Sequence, residues 1–186
     1  HLEIFKKKDI EVLLLSDRVD EWLVNHLTEY KEKPWQSVAK GALDLGDLAD
    51  KDEKEDKEKS AEEHKPLLER VTKVLNGKVK EVRVSSRLTD SPACLVVDEH
   101  DMSANLARVL KSVGQDTPQT QPIMELNVDH PLLKRLDAEP DEDRFADLSN
   151  ILFDQALLAE GGQLDDPANF VARLNQLMLN MMLSGA

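Results

Sequence analysis

The sequence predicts an α+β fold: a small α/β segment, a charged linker, and then a small sheet with helices that end in a helical hairpin. Three features lead to this prediction. A nearly continuous apolar run lies near the start, short apolar runs follow in the middle, and two helical patterns with wide apolar stripes come last. We expect the final hairpin to form a dimeric four-helix bundle with a second copy of the chain.

Residues 1–45 form the predicted α/β segment. Ile10–Leu15 is apolar except for one glutamate, which is typical of a strand buried on both faces. Helical spacing of apolar residues begins at Val19, and Pro34 ends it before a short edge strand expected at Trp35–Val38. A doubly buried strand needs neighbouring strands, so we expect this chain to be a piece of a longer protein.

Residues 46–65 form the predicted linker. Charged side chains dominate from Asp50 to Lys65. A segment of this composition cannot bury enough apolar area to offset the entropy of ordering it. It is therefore expected to be either a solvated linker or an exposed helix.

Residues 66–186 form the predicted second unit, which opens with a helix that ends at Asn76-Gly77. Three strands are expected to follow, at Val79–Val84, Ala93–Val97 and Ile123–Leu126. The first two lie close together in the sequence, which favours a hairpin-like pair.

Shorter helices are predicted on either side of the third strand. His130-Pro131 opens one that runs to Leu136, and Asp101 is expected to cap another that runs to Gly114. The second of these carries an apolar stripe made by Met102, Leu106, Val109, Leu110 and Val113. The stripe is either a core face or a partly exposed surface for a partner, and the spacing alone does not separate the two.

The last two helices carry the strongest signal in the sequence. Asp141–Glu160 is expected to be the first, and Asp166-Pro167 marks the start of the second. The second helix has apolar residues on one continuous stripe, and Arg173 is the single charge among the last twenty residues. Each buried Leu or Met is worth roughly 1.5–3 kcal/mol relative to exposure, so the stripe should be covered.

Two partners can cover that stripe: the chain's own domain or a second subunit. The helix Asp141–Glu160 favours the second subunit, because it is apolar nearly all round and therefore needs cover on more than one side. The residues expected at this dimer interface are Leu148, Leu152, Ala156, Leu174, Leu177, Met178, Met181 and Met182.

Charge and composition exclude several classes of partner. Lys and Arg number 24 against 37 Asp and Glu, a formal charge of −13, so neither nucleic acid nor an anionic membrane is an expected partner. No apolar run is long enough to span a bilayer, and a single cysteine forms no internal disulfide. A reducing, cytoplasmic location is the expectation.

Catalytic and metal-binding patterns are weak. Cys94 lies in a predicted strand, where a cysteine is usually a small core residue rather than a nucleophile. The acids in Asp98–Asp101 could hold a cation, but acids also favour a helix N-terminus. No glycine-rich phosphate loop is present. The chain is not expected to be an enzyme, and a metal-dependent or hydrolytic enzyme that uses these acids is kept as an alternative.

Four stretches resemble the heat-shock protein 90 chaperone family, and its bacterial members most closely. They are Ile10–Trp22, Arg87–Ala93, Met124–Pro131 and Leu152–Leu158, which occur in the family's order. Ile10–Trp22 resembles the end of the family's middle segment, and Arg87–Ala93 resembles the start of the C-terminal dimerisation domain's sheet.

The resemblance implies a function for the whole protein and for this part of it. The whole protein would be a homodimeric, ATP-driven stress-response chaperone that binds unfolded or partly folded client proteins. ATP and Mg would bind an N-terminal domain, so neither a cofactor nor an ATPase residue is expected in this chain. The client-contact residues that the resemblance implies are Glu21, Trp22, Asn25, Met102, Leu106, Val109 and Leu110. A structural dimerisation adaptor without client binding is the alternative.

Overall fold

The structure is a computed structural model that describes residues 1–17, 19–43, 59–103, 106–107, 109–110, 114–115 and 120–184. It is a mixed α+β structure with two small sheets. In chain order its elements are α1 (Glu3–Lys7), α2 (Asp20–His26), β1 (Glu29–Tyr30), β2 (Lys33–Pro34), α3 (Lys65–Val74), β3 (Glu81–Val84), β4 (Ala93–Val96), β5 (Ile123–Leu126), α4 (Pro131–Asp137), α5 (Glu142–Ala159) and α6 (Pro167–Ser184).

The main sheet has the order β3-β5-β4. β5 runs parallel to β3 and antiparallel to β4. The expected pairing of the first two strands as a hairpin is therefore wrong, because β5 lies between them. All four residues of β5 are buried, and a strand so fully buried belongs at the centre of a sheet rather than at its edge.

The two faces of this sheet have different neighbours. α3, α4 and α5 cover one face, and the core there includes Val71, Met124, Leu133 and Phe145. The other face holds a smaller apolar cluster of Leu88, Cys94, Val96 and Ile123. Side chains alternate between the faces along each strand, so Glu125 shares the second face with Ile123.

The helices α3 to α6 lie close to their predicted positions. α3 is followed by Gly77 at a φ of +84°, the left-handed conformation that commonly ends a helix. Side chains cap the next two helices: His130 accepts from the backbone N–H of Leu132, and Asp141 accepts from that of Arg144. The Asp166 carboxylate accepts from the backbone N–H of Asn169 at 3.0 Å and caps α6.

Two strands predicted in residues 1–45 are wrong. Ile10–Leu15 has no regular structure, and Leu14 in its centre is 74% exposed. No strand of the described chain pairs with this run, and a lone strand cannot satisfy its backbone hydrogen-bonding groups. Trp35–Val38 is also not a strand. The short hairpin of β1 and β2 comes before it, and residues 31 and 32 turn through positive φ angles.

The predicted linker is described only in part. Residues 44–58 lie outside the described residues, while residues 59–63 are helical and lead towards α3. The C-terminal part of the charged segment is thus an exposed helix, one of its two expected forms.

Candidate interaction surfaces

The sharp turn between α5 and α6 makes the two helices a hairpin. Gly161 has a φ of +72° and donates its N–H to the Leu158 carbonyl, while Gly162 donates to the Leu157 carbonyl at 2.9 Å. A Cβ at Gly162 would lie 2.5 Å from a Leu157 methyl carbon, so this position has room for glycine only. The two glycines therefore return the chain along α5.

The outer side of α6 is an exposed apolar surface. Its exposed apolar side chains are Val171, Met178, Leu179, Met181 and Met182. Met182 is 75% exposed, and no charged residue lies between Pro167 and the end of the helix except Arg173. We call these five residues the α6 face. An uncharged surface of this kind is typical of a protein–protein contact.

The expected interface residues divide into three groups. Leu148, Leu174 and Leu177 are half-buried where α5 and α6 meet, and Met178, Met181 and Met182 belong to the α6 face. Leu152 and Ala156 are buried in the chain's own core. α5 therefore uses part of its apolar surface on the sheet, which explains why it is apolar nearly all round.

One arginine connects the two helices of the hairpin. Arg173 on α6 places its Nε 3.1 Å from Asp147 Oδ1 and its Nη1 4.0 Å from Asp154 Oδ2. Burial raises the pKa of the Asp154 carboxyl above its ordinary value, while the positive charges of Lys78 and Arg173 oppose that rise.

A second apolar surface lies on and before α2. Trp22 is 56% exposed, and Leu23 and Val19 on the same helix are also exposed. Leu13, Leu14 and Leu15 add further exposed side chains just before it. The side chains of Glu21 and Asn25 lie outside the described residues, so their predicted client contacts have no structural counterpart here.

The stripe from Met102 to Leu110 is half-buried, which is intermediate between its two expected states. Met102, Leu106, Val109 and Leu110 are all partly exposed. The expected cap at Asp101 is wrong. The Ser103 hydroxyl accepts from the backbone N–H of Leu106 at 3.0 Å, so Ser103 rather than Asp101 has the capping role.

Of the side chains considered for catalysis, Cys94 is buried in the sheet and Asp98 forms an ion pair. Burial raises the pKa of the Cys94 thiol to about 12, which keeps it protonated and poorly nucleophilic. Asp98 pairs with Lys80, and the hydrogen bond from Lys80 lowers the pKa of Asp98. Within the described residues no three His, Cys, Asp or Glu side chains are grouped so that they could hold a metal ion.

Sequence reasoning missed a buried cluster of charges on the second face of the sheet. Glu125 on β5 accepts from Arg83 at 2.8 Å, from Arg87 at 2.8 Å and from the Ser85 hydroxyl at 3.0 Å. Both arginines also donate to the Gly41 carbonyl at 2.7 Å. The signal in the sequence was a glutamate inside an otherwise apolar strand, which requires a buried positive partner.

The cluster is one of several polar attachments between residues 1–43 and the rest of the chain. Another is Glu3, whose carboxylate accepts from the consecutive backbone N–H groups of Thr89, Asp90 and Ser91 at 2.6–3.1 Å. Successive N–H groups that converge in this way form a nest for an anion.

Comparison with known proteins extends the match over almost the whole chain. A family model described as Hsp90 protein matches residues 1–185. The chain belongs to the Hsp90 family. The Hsp90 match includes both exposed apolar surfaces and the buried charge cluster. Within the described residues, no helix of this Hsp90-family chain is both long and apolar enough to cross a membrane.

Several Hsp90-family relatives are named chaperone protein HtpG. The relative from Nitrosospira multiformis is 62% identical over 180 residues, which are 97% of this chain and 28% of the relative. That from Dechloromonas aromatica is 62% identical over 179 residues, and that from Nitrosomonas europaea 59% over 185 residues. These cover 96% and 100% of this chain and 28% and 29% of the relatives. The chain thus spans less than a third of their length.

Proposed function

We propose that this chain is the dimerisation and client-contact region of an ATP-driven molecular chaperone. In this proposal it corresponds to the end of the middle segment and the C-terminal dimerisation domain of an Hsp90-family protein. The observation that most strongly supports this proposal is the α6 face, an uncharged apolar surface on a chain that is otherwise one-third charged. The relatives' name supports the chaperone activity of the whole protein.

The proposed mechanism of this part is mechanical. Two α5–α6 hairpins pair into a bundle, which covers both α6 faces and holds the rest of two subunits at high effective concentration. ATP and Mg bind another part of the whole protein. The dimerisation and client-contact region therefore has no catalytic residue of its own. The assembly acts in the cytoplasm, and its partners are a second copy and non-native proteins.

Sedimentation equilibrium over a wide concentration range tests the pairing. The wild-type chain should behave as a dimer. Met178→Asp with Met182→Asp should weaken the dimer by about 3–5 kcal/mol, or more than a hundredfold, because each charge would be buried without a partner. Asn169→Asp with Gln176→Glu adds the same charge at exposed positions of α6 outside the α6 face and should remain dimeric. A wild-type chain that stays monomeric at every concentration would refute the pairing.

Client contact is proposed for the exposed surface around Trp22. A Trp22→Arg variant should bind reduced, carboxymethylated α-lactalbumin, a permanently unfolded protein, about tenfold more weakly. The reason is that the substitution removes the largest exposed apolar side chain of α2. Fluorescence anisotropy of labelled α-lactalbumin measures the affinity.

Leu132→Arg provides the matched control, because Leu132 is an exposed apolar residue on α4 at a similar exposure. It should leave the affinity for unfolded α-lactalbumin unchanged. A chain that forms the dimer but does not bind the unfolded protein would support the alternative, a structural adaptor without client binding. Equal affinity of wild type and Trp22→Arg would remove Trp22 from the client surface.

A further inference from the structure

The apolar residues of α6 do not by themselves define one way to pack on α5. Phe170, Leu174 and Leu177 are half-buried against the chain, while Val171 and Met178 beside them are exposed. Hydrophobic attraction follows the area buried and has little directionality. A rotated α6 would exchange one set of apolar side chains for the other at similar buried area.

Arg173 makes a directional contact with α5, which the apolar side chains do not. Its guanidinium lies between Asp147 and Asp154, which are seven residues and therefore about two helical turns apart on α5. The Arg173 side chain is 23% exposed, the Asp154 side chain 12% and the Asp147 side chain 52%, so the contact lies at the edge of the junction with its Asp154 side buried. The planar guanidinium donates to Asp147 along a fixed direction and is attracted by the charge of Asp154 at 4.0 Å, and together the two contacts limit rotation and sliding.

We infer that Arg173 fixes the rotation and axial position of α6 on α5 and so determines which side chains of α6 face a second copy. A shift of one residue turns a helix by about 100°. Such a turn would move Arg173 away from both aspartates and would move the α6 face off the outer side of the hairpin. The register is a property of one chain, and only its effect on pairing rests on the proposed function.

This role differs from a contribution to stability. An ion pair with a half-exposed partner contributes little to folding stability, whereas a single polar contact can set the register of packed helices. Arg173→Met keeps the length and helix propensity of the side chain but removes its charge. The register should therefore broaden in this variant even where the melting temperature is unchanged.

Arg144→Met is the matched control. Arg144 lies in the same groove between α5 and α6, but it pairs with Glu139, which precedes α5. Two spin labels, one at exposed Gln155 on α5 and one at exposed Ala172 on α6, report the register of the two helices. Double electron–electron resonance measures the distance between them, and dilution with unlabelled protein restricts that distance to one chain. Cys94 is buried and holds its proton, so it does not take the label.

The wild type and Arg144→Met should give one narrow distance distribution. Arg173→Met should give a broad or double distribution and a dimer dissociation constant about tenfold higher, and Arg173→Lys should recover part of both. An unchanged distribution in Arg173→Met would overturn the inference. If the wild type were monomeric, the pairing would fail, and the distance distribution would still decide the role of Arg173.

Discussion

At the scale of single residues, Glu3 shows how strongly converging backbone N–H groups can stabilise one carboxylate. Burial alone would raise the pKa of its carboxyl, but hydrogen bonds from the Ser91 hydroxyl and from the N–H groups of Asp90, Thr89 and Ser91 outweigh burial and lower the pKa to about 2. The carboxylate thereby holds α1 on the loop before β4.

Glu3 should give the attachment of α1 a defined pH dependence. Because its folded pKa lies below the usual 4.5, the stabilisation is complete above about pH 4.5 and is lost as pH falls towards 2. NMR titration of the Glu3 carboxyl carbon should give a midpoint near 2. Glu3→Gln should lower the melting temperature at pH 7 but not near pH 2. Glu11→Gln, at an exposed position, should leave the melting temperature unchanged at both pH values. A Glu3 midpoint near 4.5 would contradict the structure.

At the scale of elements, local signals predicted the helices well because their ends are determined locally. Asp141 and Asp166 cap helices within three residues of themselves, and Gly77 follows the last residue of α3 by three residues. The Asp101 cap failed because Ser103, two residues later, competes for the same role. Sequence alone could therefore find α5, α6 and the apolar stripe that forms the α6 face.

Strands were harder because their partners are distant in the sequence. β5 enters between β3 and β4 from about thirty residues further along the chain, and nothing in the two earlier strands signals this. Ile10–Leu15 has the composition of a buried strand, but composition cannot supply a neighbour with which to pair. The candidate sites differ in the same way. The α6 face could be predicted because it lies on one helix, whereas the cluster around Glu125 could not because its members are distant in the sequence.

At the scale of the whole molecule, residues 1–43 are attached to the sheet by charges and backbone pairing as well as by apolar contact. The arginines at positions 83 and 87 donate to the carbonyl of Gly41, and Arg87 donates also to that of Val38. Gly41 in turn donates its N–H to the Val97 carbonyl at 2.9 Å. Glu125 is thus the anion that keeps the buried Arg87 and the half-buried Arg83 in place beneath this segment.

Replacing Glu125 should therefore loosen a distant part of the chain as well as destabilise the sheet. Glu125→Gln leaves Arg83 and Arg87 without the carboxylate, and breaking a buried ion pair from one side costs about 3–5 kcal/mol. Denaturant unfolding should show that loss, and hydrogen exchange at the Gly41 amide should accelerate because its anchoring arginines lose their orientation. Glu81→Gln, at an exposed position of β3, should change neither quantity. A loss below about 1 kcal/mol, the range of surface pairs, would mean that the arginines are held by the backbone carbonyls alone.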